Sequence, residues 1–172
     1  MNDYATTHLP ILEFITEIID CKNVFEFGMS NKSTNLFADK FQSVTSVEMQ
    51  EENRFDIMNK EKLPSHVDLL CALGETPAID IMKSMDQKFS CVFVDGHGGN
   101  RWQCINESFD KTDVIITHDT ETPCYNWHLV NKPPNFIWID IKQYNPWTSV
   151  LTCNQNIIRA LVKKFPSYVI RY

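Results

Sequence analysis

Two hydrophobic rhythms alternate along the chain. Ile11, Phe14, Ile15, Ile18 and Ile19 recur every three or four positions, which predicts a helix over residues 10–20. Residues 23–27 form a short apolar run stopped by Gly28, hence a strand. Residues 33–40 predict a helix with Leu36 and Phe37 inward, 44–49 a second strand, and the polar stretch 50–60 a surface helix. A third strand over 66–72 ends at Gly74 and is followed by helical spacing over 78–85. Residues 89–94 make a fourth strand whose consecutive apolar positions suit burial on both faces. Helix spacing over 101–109 and a fifth strand over 114–117 complete the series. Strands and helices alternating in this way build an α/β fold, a mainly parallel sheet with helices on both faces and right-handed crossovers.

The tail breaks the rhythm. Residues 136–142 and 148–152 both read as strands, and Tyr144-Asn145-Pro146 between them is a turn signal. Strands this close pair as an antiparallel hairpin. A closing helix over 157–164 and an extended piece over 168–172 follow.

Composition narrows the picture. A chain of 172 residues with 43% hydrophobic and 22% charged positions suits one globular domain spanning 1–172. A net charge of −6 and the lack of a basic run argue against nucleic acid as a partner. The apolar segment 11–19 carries Glu13 and Glu17, is too short to span a bilayer and follows no basic stretch. A cytoplasmic protein without a membrane partner is expected. The six cysteines include no Cys-x-x-Cys pair, so they read as reduced thiols, with Cys71 and Cys91 as small hydrophobes in strands.

All five glycines fall in loops just after expected strands: Gly28, Gly74, and Gly96, Gly98 and Gly99. Ligands of open parallel sheets bind beyond the carboxyl ends of the strands, so this placement favours a ligand site on that edge. In the first loop Gly28, Ser30 and Ser33 take the three places of the dinucleotide fingerprint, with serine at two of them. Glu26 repels phosphate and suits an ammonium-bearing ligand. Glu48, twenty residues after Gly28 in the sequence, is placed to accept hydrogen bonds from ribose hydroxyls.

Together the run 24–34 and the run 44–48 resemble the first two motifs of class I S-adenosylmethionine-dependent methyltransferases, in the variant whose glycine loop ends in Ser-Thr. Leu73-Gly74-Glu75-Thr76, Val92-Phe93-Val94-Asp95-Gly96 and Val114-Ile115-Ile116-Thr117-His118-Asp119 are similar to later family motifs. The resemblance covers roughly residues 8–153 and implies a Rossmann-like sheet of seven strands ending in the antiparallel hairpin. It further implies S-adenosylmethionine as cofactor, with Glu26, Gly28 and Ser30 at the methionine part, Glu48 at the ribose, and Glu75 or Thr76 at the adenine.

By the same resemblance, to small-molecule and sugar O-methyltransferases, Asp95 and Asp119 would bind Mg²⁺, with Thr120 where the third ligand stands. His97 and His118 flank these acids as candidate bases, and Arg101 can pair with Asp95 or an acidic substrate. His8 precedes the first helix, in a segment placed to cap the cofactor. Tyr125, Trp127 and Trp147 lie where such enzymes build the acceptor pocket. The expected activity is O-methylation of a small molecule or sugar. Because little chain exists beyond the core fold, the acceptor site is either completed in a homo-oligomer or the substrate is large. The alternatives are a non-catalytic scaffolding domain and an S-adenosylmethionine-consuming enzyme without a methyl acceptor.

Overall fold

Each strand of the sheet forms where the sequence places an apolar run between turn residues. The computed structural model describes residues 6–50, 52–60, 62–96 and 99–171. In chain order the elements are α1 (Leu9–Ile18), β1 (Asn23–Phe27), α2 (Ser33–Lys40), β2 (Ser43–Glu48), α3 (Glu52–Lys60), β3 (Val67–Cys71) and α4 (Glu75–Ser84). There follow β4 (Cys91–Val94), α5 (Arg101–Ser108), β5 (Val114–His118), β6 (Ile137–Ile141), β7 (Thr148–Thr152), α6 (Gln155–Lys164) and β8 (Tyr168–Arg171). Two short 3₁₀ turns, Pro123–Tyr125 and Trp127–Leu129, lie between β5 and β6.

The sheet runs β3-β2-β1-β4-β5-β7-β6-β8. Strands β1 to β5 pair in parallel. β7 is antiparallel to β5 and, as the turn signal at 144–146 predicts, to β6. The extended tail adds an eighth strand beyond the implied seven, β8, antiparallel to β6. Strand order reverses between β1 and β4, the place where ligands bind in such sheets.

Alternation along the central strands feeds two cores. Phe25, Phe27, Val47, Val92, Val94 and Ile115 face Ala78 and Met82 of α4 and Cys104 and Ile105 of α5. On the other face Val24, Val44, Phe93, Ile116 and Val150 meet Ile11 and Ile15 of α1, Phe37 of α2, and Ile157 and Leu161 of α6. Three details differ from the sequence pattern. α1 buries Ile11, Leu12 and Ile15 and leaves Ile18 exposed, because Phe14 packs at the rim, edge-on to Phe165. α4 begins three residues early, since Glu75, Thr76 and Pro77 suit a first helical turn. All six cysteines are free, but Cys71 is exposed rather than core, because β3 is half-solvated on its outer positions. No helix among the described residues is long and apolar enough to cross a membrane.

Candidate functional site

At the switch point the loops after β1 and β4 touch. Gly28 has φ +88°, and a Cβ there would sit 2.5 Å from the Gly96 Cα and 2.6 Å from the Asp95 carbonyl oxygen. Only glycine satisfies both the left-handed backbone and that approach. The contact is supported by hydrogen bonds from the Gly28 N–H to the Val47 carbonyl and from the Asp95 N–H to the Phe27 carbonyl.

Glu26 is fully buried on β1, across from Ser46 of β2. Ser33 and Thr34 of α2 and Ser46 all donate hydroxyl hydrogen bonds to its carboxylate. Burial raises its pKa to about 7 against the pull of those three donors. Glu26, expected at the methionine part, has a structural role within the fold. The carboxylate pins α2 to the sheet, because hydroxyls from two elements reach it before solvent does. Ser30 is likewise engaged locally: its Oγ accepts from the N–H groups of Lys32 and Ser33 and pairs with the Ser33 hydroxyl at 2.8 Å.

Glu48, Glu75 and Thr76, expected at the ribose and adenine, lie at the end of β2 and the start of α4. Glu48 ends β2 with its carboxylate buried, one oxygen accepting from the Gln50 N–H at 2.7 Å. Next to it along the edge, Gly74 takes φ +90° and opens α4, whose first turn presents Glu75 and the exposed Thr76. Leu73, in the same loop, has 47% of its surface exposed.

Beyond the switch point, Asp95, Arg101, His118 and Asp119 form one cluster. Arg101 opens α5 and is 5% exposed. Its guanidinium pairs with Asp95 Oδ1 and Asp119 Oδ2, each at 3.1 Å, and donates to the carbonyls of Gly96 and His118. Asp119 adopts φ +59°, a conformation Asp tolerates, at the turn that follows β5. The Tyr125 hydroxyl approaches Asp119 Oδ2 at 3.4 Å while its ring lies 4.3 Å from the Arg101 guanidinium. Burial pushes the Tyr125 phenol above its ordinary range. Burial also opposes ionisation of Asp95, but His118 and Arg101 outweigh it and hold that carboxyl below the usual range.

His118 stands between the acids, its Nδ1 3.5 Å from an oxygen of each, and its Nε2 2.9 Å from the Thr7 hydroxyl. His8, next to Thr7, packs on Phe93 and edge-on to His118 at 4.7 Å. Burial lowers its pKa to about 4. The segment before α1 thus covers the end of β5. The sequence singled out His8 as a cap and Arg101 as a partner for Asp95. It carried no sign that His8 meets His118, that Arg101 spans both acids, or that Thr7 joins them, since those contacts cross 111 and 18 positions.

The Mg²⁺ arrangement does not fit these residues. The space between Asp95 and Asp119 is bridged by the Arg101 guanidinium, which already neutralises both inner oxygens. Thr120 turns away: its hydroxyl pairs with the Ser149 hydroxyl at 2.7 Å and its carbonyl accepts from Arg171 at 2.9 Å. His97, the other candidate base, lies outside the described residues.

No family model matches the sequence, and no curated protein matches it. Solved structures do. An O-methyltransferase from Bacillus cereus in complex with S-adenosylhomocysteine has a TM-score of 0.64 at 16% identity, over 88% of this chain and 82% of that one. The O-methyltransferase TomG from Streptomyces achromogenes, in complex with S-adenosylmethionine, scores 0.61 at 14%, over 90% and 82%. A precorrin 8W decarboxylase from Methanobacterium thermoautotrophicum scores 0.62 at 15%, over 83% and 87%. The fold is therefore the Rossmann-like fold of the class I methyltransferases, with the strand order and hairpin described above.

Proposed function

We propose that the chain is an S-adenosylmethionine-dependent methyltransferase acting on an oxygen of a small molecule or sugar. The observation that carries this reading is the division of labour along one sheet edge. Glu48, Leu73 and the first turn of α4 lie on one side of the β1–β4 switch point, and the Asp95–Arg101–His118–Asp119 cluster lies on the other. Two of the similar structures hold the cofactor or its product. That likeness supports the reading and does not identify the acceptor.

On this reading Glu48 takes the ribose hydroxyls, and Glu75, Thr76 and Leu73 meet the adenine. The bound sulfonium supplies the electrophilic methyl group. What the protein adds is alignment, and a base if the acceptor hydroxyl starts protonated. Asp119, one-fifth exposed at the end of β5, takes that proton, and Arg101 and His118 hold its carboxylate in place. Magnesium has no part in this scheme.

A second reading, a non-catalytic domain that retains the fold, is favoured by the methionine end. There Glu26 and Ser30 are occupied from within, and the Gly28 and Gly96 backbones are in contact. Calorimetric titration with S-adenosylmethionine and S-adenosylhomocysteine, with NADH as control, separates the two. Micromolar binding of the sulfur ligands, weakened at least about tenfold in Glu48→Ala, supports the enzyme. Silence with all three leaves the scaffolding reading.

A further inference from the structure

His8 is the least satisfied polar side chain near the site. It is 2% exposed, and neither of its ring nitrogens has a hydrogen-bond partner among the described residues. An imidazole buried in this way forfeits its hydration without compensation. Yet it is not among apolar groups alone. Its ring stands against His118, and donor atoms of His8, Asp95 and His118 all lie within 4.8 Å of one another.

The spacing is informative. His118 Nδ1 and Asp95 Oδ1 are 3.5 Å apart, long for a hydrogen bond between them. Two ligands of a tetrahedral ion with bonds near 2.1 Å are separated by about 3.4 Å. Thr7 supplies the outer support that ligating histidines take, its hydroxyl 2.9 Å from His118 Nε2, which leaves Nδ1 directed at the carboxylates.

We propose that His8, His118 and Asp95 bind one divalent transition-metal ion of the zinc type. Two imidazoles and one carboxylate suit zinc or cobalt and not magnesium, which prefers oxygen donors throughout. Asp95 has a second oxygen and spare lone pairs, so it holds Arg101 and the ion together. With three protein ligands the ion keeps a fourth position for water or an acceptor hydroxyl, the arrangement of catalytic rather than structural zinc. The site lies on the His8 side of the cluster and shares Asp95 Oδ1 with Arg101, which pairs with that oxygen at 3.1 Å.

The test uses the whole chain with no cofactor or acceptor, so its outcome is independent of the methyl-transfer reading. Zn²⁺ is titrated by calorimetry and Co²⁺ by visible absorption. The expected result is one ion per chain, with cobalt bands of nitrogen and oxygen ligation. His8→Phe, which refills the space beside Phe93 without a ligand atom, should weaken binding at least about 100-fold while its circular dichroism stays that of the parent. If that variant does not fold, His118→Gln gives the same reading. Absence of stoichiometric binding to the unsubstituted protein overturns the proposal. So does unchanged affinity in the folded histidine variant, or a cobalt spectrum dominated by thiolate charge transfer, which would place the ion at exposed Cys71 or Cys124.

Discussion

Glu26 and His8 are both buried and both perturbed by burial, but their effects on stability run in opposite directions with pH. Glu26 ionises near 4.5 when unfolded and near 7 in the fold, so the native state holds a proton that the unfolded chain has lost. Its contribution is full below about 4.5 and falls as pH rises to 7, on the order of 3 kcal/mol in all. His8, lowered from 6.5 to about 4, contributes stability above 6.5 that is lost as pH falls to 4. Between roughly 4.5 and 6.5 the two slopes offset one another. Glu26→Gln should remove one of them, so urea melts of that variant should show stability rising with pH up to about 6.5, where the parent is nearly flat. A variant with the same pH dependence as the parent would mean that Glu26 ionises in the fold as it does in the unfolded chain. Arg101→Met should cost about 3 kcal/mol, because it strands two carboxylates beside His118 and frees two backbone carbonyls. Arg101→Lys should rescue little of this, since an ammonium cannot span the fork. Chemical denaturation measures both.

Single elements show where the sequence was legible. β1, α2 and β7 match the expected ranges because an apolar run or a helical face is bounded at once by Gly28, Lys40 or Tyr144-Asn145-Pro146. β8 was visible only as an extended piece, since its pairing depends on β6, some thirty residues earlier, and on a polar network that no local window contains. Asp140 of β6 is buried and accepts from Trp138 Nε1, Ser149 Oγ and Arg171 Nε at 2.8, 2.6 and 2.6 Å. Arg171 also stacks over Trp138 and bonds the Thr120 carbonyl. Arg171→Ala should therefore destabilise the protein by about 2 kcal/mol, less than a fully buried pair because the guanidinium is one-third exposed. Asp140→Asn in the same background should recover part of the loss, which a double-mutant cycle reads directly.

For the molecule as a whole, the strands sandwiched between two cores, β1, β4, β5 and β7, should be the slowest to exchange their amides. Edge strands β3 and β8, in which no position is fully buried, should exchange through local opening. Hydrogen exchange by mass spectrometry checks the order, and equal protection at edge and centre would contradict it. The sequence disclosed the edge on which the site lies because all five glycines follow strands. It could not disclose that Glu26 turns inward, since its partners Ser33, Thr34 and Ser46 come from two other elements.

The end of β5 is held from two remote parts of the chain. Thr7 reaches His118 across 111 positions, and Arg171 reaches Thr120 across 51. The closure cost of such contacts grows only slowly with the length of chain they span, so what sets them apart is their place at the rim of the sheet rather than their reach. Asp119, seated between them, is clamped from two sides by side chains outside the central strands. Release of either clamp would loosen that corner while the paired interior of the sheet stays closed, so a signal from the sheet alone would not report on the corner.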